Sequence, residues 1–437
     1  MAPPADLPVP DRRAFLAATG LAAVAGAAFS PTSASADASG ADASVEEPDR
    51  LFKEGRFTAA ERGYRRVLRQ NPREARAAAQ VGYIALLSNR FRTAESFLAR
   101  AVRLNPRDVA SKQRLAECFV RQDQLARAVP LLRQTGGQRD AAYATVFDHL
   151  PGTPWQIHGP AGTRVPFHTL DPVPSVEASV NGGAPKKYLL DTYATLDLSA
   201  QAAEEAGLRA LASMSGGVVD THPVTLYFGV LDSFRIGDFE IRDIPVQWND
   251  TQRPPMPDGS QPAGAFGTTI FYHFLTTMDY AGRALILRRK SRTPQKGFPS
   301  RNRLPLWLAG DHFPCTVGSL RDYGPRMVTV DTGGIASALD TTVEIAERVG
   351  LAVDYEHPSD RFGHRTYPVT ADRISLGGAV GRNVRGHAAE KAFPGLPGAG
   401  QSAQFGFDLI ANFTHEFFKP FAVTFDYTAM TLSVARG

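Results

Sequence analysis

Apolar and polar positions along the chain follow three patterns. Residues 14–29 form an Ala-rich apolar stretch behind the paired Arg12 and Arg13. Between 47 and 138 apolar and small residues return every 34 positions, as Phe57, Phe91 and Leu125, as Ala60, Ala94 and Ala128, and as Asn71-Pro72 and Asn105-Pro106. The strings Phe57-Thr58-Ala59-Ala60-Glu61 and Phe91-Arg92-Thr93-Ala94-Glu95 are near copies. This period predicts helix–turn–helix units, in which small residues let paired helices approach closely. Asn-Pro ends each second helix, because proline removes an amide donor and restricts the residue before it. From 161 to 437 the pattern changes to short β-rich runs between Gly, Pro and Asp turns, which predicts an all-β domain.

That β region repeats itself. Tyr188-Leu189-Leu190-Asp191-Thr192-Tyr193-Ala194 answers to Val328-Thr329-Val330-Asp331-Thr332-Gly333-Gly334, and each run precedes a helix-like segment ending in Gly-Leu, at Gly207-Leu208 and Gly350-Leu351. Met278-Asp279-Tyr280 answers to Phe425-Asp426-Tyr427, and alternating apolar runs follow both, from Ala284 and from Thr431. The Asp-Thr pairs lie 140 positions apart and the Asp-Tyr pairs 147 apart. Near-equal offsets for two independent markers point to duplication of one unit.

The helical region resembles tetratricopeptide repeats, a fold that usually presents a groove to a peptide or partner protein. A spacer that binds nothing fits the same pattern. The duplicated region resembles the aspartic peptidases of the retropepsin and pepsin type, in which each of two lobes supplies an apolar-apolar-Asp-Thr/Ser-Gly loop. Val330-Asp331-Thr332-Gly333 matches that pattern throughout. Leu190-Asp191-Thr192-Tyr193 departs from it at Tyr193, whose ring would sit where the family has a glycine. The resemblance implies a catalytic pair, Asp191 and Asp331, with Thr192 and Thr332 tying the loops together and Gly333 giving close access to the carboxylates. It also implies a segment ending in Gly beneath each loop, Gly264-Ala265-Phe266-Gly267 in the first half and the altered Ala403-Gln404-Phe405-Gly406 in the second, and a hairpin over the cleft, within 213–230 in the first half. Two carboxylates within ~3 Å cannot both ionise, so they share a proton and titrate as a unit. One then takes a proton from water while the other polarises the scissile carbonyl, and this chemistry needs no cofactor or metal. The expected function is that of an aspartic endopeptidase. The alternative is a degenerate, non-catalytic peptide-binding protein whose repeats recruit a partner. An Asp that only forms a turn or caps a helix is the simpler reading of each Asp-Thr pair, more so for Asp191 than for Asp331.

Composition narrows other chemistries. With 437 residues, 43% hydrophobic and 21% charged, the chain is globular and multidomain. Two cysteines, Cys118 and Cys315, exclude a disulfide scaffold and a four-thiolate zinc site. No HExxH or Gly-x-Ser-x-Gly motif occurs, and the Gly-rich runs lack a phosphate-loop lysine. The net charge of +4 gives no case for nucleic acid, but residues 47–138 carry 19 Lys+Arg against 9 Asp+Glu, leaving the remainder net acidic. That asymmetry fits repeats that dock an acidic partner or anionic envelope surface, and equally fits solvated arginines on helix faces.

The charged start, the apolar stretch and Ala34-Ser35-Ala36 have the order of an export signal, and the paired arginines before Phe15-Leu16 resemble a twin-arginine signal. The implied location is periplasmic, cell-envelope or extracellular in a bacterium, with membrane contact only during export. The expected organisation is a short all-α tetratricopeptide-like repeat module followed by a mainly-β bilobal pepsin/retropepsin-like domain. Its boundaries are signal 1–36, linker 37–46, repeats 47–138, linker 139–160, first lobe 161–290, basic inter-lobe linker 291–303 and second lobe 304–437.

Overall fold

A computed structural model of the chain describes residues 44–150, 152–219, 222–251, 253, 255–290, 303–361, 363–393 and 395–436. The expected export signal, most of the linker after it and all but the last residue of the basic linker lie outside the described residues. Among the described residues seven helices come first: α1 (Glu46–Lys53), α2 (Phe57–Gln70), α3 (Ala75–Leu87), α4 (Phe91–Leu104), α5 (Val109–Val120), α6 (Leu125–Leu132) and α7 (Gln138–His149). In α2 the buried residues Phe57, Ala60, Tyr64, Val67 and Leu68 recur at helical spacing and form one apolar face. Asn71 takes an extended conformation before Pro72 and stops the helix. Tight contact between neighbours depends on missing side chains: a Cβ on Gly82 of α3 would lie 2.6 Å from Leu98 Cγ on α4.

The stack does not end at 138. Residues 139–149, expected as linker, belong to α7, whose Ala142, Ala144, Val146 and Phe147 are buried. Nor do the helices stand apart from the β region. Helix α3 is buried around nearly its whole circumference, because one side meets its helical neighbours and another meets the second β half. Phe57 packs edge-on against Trp307 and Phe407 at centroid distances of 5.2 and 5.1 Å, and the Tyr83 hydroxyl donates to Phe405 O. Each buried aromatic contributes roughly 1.5–3 kcal/mol, so the helices are fastened to the β region by a shared core.

The mainly-β region contains two barrel-like sheets and a sheet between them. The first half, from Gln156–His158 onward, builds an eight-stranded sheet. Its long strands His222–Ile236 and Phe239–Asn249 pair with each other across the ends of the strand order and so close it on itself. The second half builds a nine-stranded sheet closed in the same way by Phe313–Leu320 against His364–Leu376. A six-stranded sheet takes strands from both halves, with Phe274–Asp279 antiparallel to Phe421–Asp426 at its centre. There Thr277 faces Thr424, its counterpart 147 positions on, and their hydroxyls are 2.8 Å apart. A residue paired with its own counterpart marks an approximate twofold axis. Asp279 and Asp426 accept backbone N–H groups in the turns that follow, from Gly282 and from Thr428 and Ala429.

Candidate active site

The two Asp-Thr loops meet beside that axis. Lys186–Leu190 runs antiparallel to Ser175–Val180 and parallel to Gly264–Phe266, so both its edges are paired, and its terminal residues Tyr188, Leu189 and Leu190 are buried. Tyr323–Asp331 is held likewise between Phe313–Leu320 and the parallel Ala411–Thr414, with Met327 to Asp331 buried. A continuous apolar run suits a strand covered on both faces, and each such strand delivers its Asp into the interior.

This register corrects one expectation. Beneath the second loop runs Ala411-Asn412-Phe413-Thr414, which lies 147 positions after Gly264-Ala265-Phe266-Gly267. Ala403 to Phe405 instead belong to a short helix, Ser402–Phe405, ended by Gly406 in the left-handed region. An apolar-Gly match had masked the true counterpart, in which Asn412 replaces Ala265.

The threonines bind the loops reciprocally. Thr192 N–H donates to Thr332 Oγ1 (3.0 Å) and Thr332 N–H to Thr192 Oγ1 (3.1 Å). The hydroxyls then donate outward, from Thr192 to Val330 O (2.7 Å) and from Thr332 to Leu190 O (3.3 Å). All four groups are buried, so each bond also prevents an unsatisfied polar atom. Asp191 and Asp331 are each 4% exposed, and their carboxyls interact directly. The backbone N–H two residues on donates to each, Tyr193 to Asp191 Oδ1 (2.7 Å) and Gly333 to Asp331 Oδ1 (2.8 Å). A Cβ on Gly333 would sit 2.1 Å from Asp191 Cγ, so only glycine permits this approach of the two loops.

Burial and then the charge of Asp331 push Asp191 well above the ordinary carboxyl range. Burial also raises Asp331, to about 6, while Asn412 Nδ2, which donates to its Oδ2 (2.9 Å), and Gly333 N–H, which donates to its Oδ1, oppose the rise. The surroundings of the pair are therefore asymmetric, with two donors on Asp331 and one on Asp191, while the pair titrates as a unit.

Tyr193 is buried without lying between the carboxyls. Its ring meets Phe313 edge-on at 4.9 Å, its hydroxyl is 2.8 Å from Gln401 Oε1, and its backbone is outside the left-handed region. A residue with a side chain therefore stands at 193 without backbone strain.

Sequence reasoning missed a second tier of carboxylates. Asp197 and Asp340 occupy matching registers, opposite Ala265 and Asn412. Asp197 accepts from Thr195 Oγ1 and Gln247, while Asp340 accepts from Arg361 (2.8 Å) and Asn412 (3.3 Å). Each lies inside an apolar run, Leu196-Asp197-Leu198 and Leu339-Asp340, and a charge in such a run was the available signal. Beside the second loop a cleft of about 430 Å³ is lined by Ala336, Val353, Asp354, Val369, Arg385 and His387. Among the described residues, Asp171, His415 and Glu416 could jointly approach a cation, but Lys419 Nζ already pairs with Asp171 and Glu416. Both cysteines are free and buried.

Comparison with known proteins gives a family model described as aspartyl protease, which matches residues 176–270 and thus the first Asp-Thr loop with the segment beneath it. No curated protein matches. Solved structures that align include a mutant O-GlcNAc transferase of Thermobaculum terrenum, at 22% identity and TM-score 0.24 over 26% of this chain and 24% of that one. Another is the TPR2B domain of yeast Sti1 in its complex with pHsp70, at 19% identity and TM-score 0.21 over 22% of this chain and 80% of that one. The chain thus spans about a quarter of the length of the first. The region 176–270 is aspartyl-protease-like, and residues 46–149 are a helical region preceding it.

Proposed function

We propose that the protein is an aspartic endopeptidase of bilobal retropepsin/pepsin-like construction, with Asp191 and Asp331 as its catalytic pair. The observation that carries this reading is the reciprocal threonine lattice, which brings two buried carboxyls from the two halves into direct contact. In the reaction Asp331, ionised, takes a proton from a water held between the carboxyls, and the oxygen attacks the scissile carbonyl. Asp191 donates its proton to the carbonyl oxygen as the tetrahedral intermediate forms. Collapse returns that proton to Asp191, while the proton on Asp331 passes to the leaving amine. The substrate is an extended peptide crossing the halves, and the 430 Å³ cleft beside Ala336 is a candidate for receiving one of its side chains.

The helices support protein binding only on surfaces that the β region leaves open. Exposed Arg62, Arg66, Arg69 and Arg73, with Arg103 and Arg107 one repeat later, form a basic face suited to an acidic protein partner. We also propose export by the twin-arginine-like signal, to be checked by the N-terminus and location of the secreted chain.

The decisive experiment is a mixed peptide library incubated across pH ~3–7 with the wild type and Asp331→Asn. Cleavage by the wild type alone is the expected result. Cleavage that survives in Asp331→Asn removes the dyad, and binding without cleavage by the wild type establishes the non-catalytic alternative.

A further inference from the structure

The helices meet the Asp191 loop through a chain of charged groups. Strands Trp307–Ala309 and Phe313–Leu320 of the second half are joined by a turn at 310–312. From outside, two helices grip this turn. Arg121, the residue capping the C-terminus of α5, has a side chain 3% exposed that donates to Leu308 O (3.2 Å) and Gly310 O (2.8 Å), and Glu117 holds it at 2.6 Å. Arg139 of α7 pairs with Asp311. From inside, Asp311 Oδ1 holds His312 Nδ1 at 2.6 Å, and His312 Nε2 lies 2.8 Å from Tyr193 O. Nδ1 faces a carboxylate and Nε2 a backbone carbonyl, so the imidazole bridges two acceptors and ties Asp311 to the Tyr193 peptide.

The peptide unit following Tyr193 is thereby held at both ends, since Ala194 N–H donates to Asp191 O (2.8 Å). The preceding peptide supplies the N–H that meets Asp191 Oδ1. The same helix α7 also braces the first half, where Tyr143 packs edge-on against Phe228 (5.2 Å), which pairs with Ala212 between the antiparallel strands Ala212–Val219 and His222–Ile236.

We propose that the helical module is a structural part of the catalytic apparatus, and that His312, seated by Arg139 and Asp311, is a positioning residue that holds the Asp191 loop in its working geometry. This takes over a task that a small residue at 193 would leave to the loop itself. It rests on the peptidase reading for its catalytic consequence, but not for its structural one.

The test uses the full chain with Arg139→Gln, His312→Phe and His312→Gln, following amide exchange by mass spectrometry alongside peptide cleavage. Arg139 lies on a helix of the module, so its replacement leaves the β core intact. Exchange should rise by about tenfold or more in the peptide covering 190–196 in Arg139→Gln and His312→Phe, with the 328–334 peptide unchanged. In cleavage, kcat should fall 10–100-fold with KM nearly constant, because a misplaced catalytic group impairs chemistry rather than binding. His312→Gln, which restores a donor to Tyr193 O, should recover part of both. Unchanged exchange at 190–196 in Arg139→Gln and in a folded His312→Phe overturns the proposal. A rise in exchange in a chain whose wild type cleaves nothing supports the clamp and rejects the peptidase reading instead.

Discussion

Tyr193 offers the sharpest test, because two views of it predict opposite results. If its ring obstructs the dyad, Tyr193→Gly should raise activity at little cost in stability. The structure argues otherwise. The residue is 8% exposed, its ring meets Phe313 and its hydroxyl reaches Gln401. Truncating a buried aromatic costs about 3–5 kcal/mol, including the cavity left behind. Glycine's extra backbone entropy adds about 0.5–1 kcal/mol and the lost hydrogen bond about 1 kcal/mol. We therefore expect Tyr193→Gly to destabilise the protein by roughly 4.5–7 kcal/mol, and Tyr193→Phe by only about 1 kcal/mol. Urea unfolding reads this as a lower midpoint at unchanged slope. Cleavage by Tyr193→Gly should fall, since Tyr193 N–H and O both help fix the Asp191 loop. A glycine variant of wild-type stability, or one more active than the wild type, would refute the reasoning.

Three further outcomes follow from the site. The folded state raises the carboxyls of both Asp191 and Asp331, so between the unfolded value and the folded one it binds more protons than the unfolded chain, and stability falls as pH rises through that window. For Asp331, raised to about 6, the effect is on the order of 3 kcal/mol, and thermal melts should show Asp331→Asn gaining on the wild type from pH 4 to 8; parallel curves would contradict this. Gly333→Ala forces a Cβ to within 2.1 Å of Asp191 Cγ, so the loops must part by over an ångström and kcat should drop about 100-fold; wild-type kcat would show that the contact is not needed. Asn412→Ala copies the first half's Ala265 and removes the donor to Asp331 Oδ2, so the acid limb of the cleavage profile should move to higher pH by about one unit. An unmoved limb would show that Asn412 does not set the asymmetry.

The fold was legible wherever a pattern repeats. The 34-residue period marked α2 and α4 and the Asn-Pro stops, and the paired Asp-Thr and Asp-Tyr markers located both loops and the central strands. Residues 139–160 misled because α7 lacks the repeat's markers, although it touches both β halves. The segment beneath the second loop misled because Phe405-Gly406 imitates an apolar-Gly ending more closely than Phe413-Thr414 does.

By itself the sequence determined the chemistry-bearing pairs, since duplication leaves its mark at constant offset whatever the chain does in between. Only tertiary structure decided which residues set those pairs to work. Asn412, Asp340, His312 and Arg139 come to the loops from strands, turns and a helix far along the chain, by contacts that have no period and no motif. Burial made the difference physical: a carboxyl in water needs no partner, whereas one that is 4% exposed takes its proton affinity from every donor and charge the fold brings beside it.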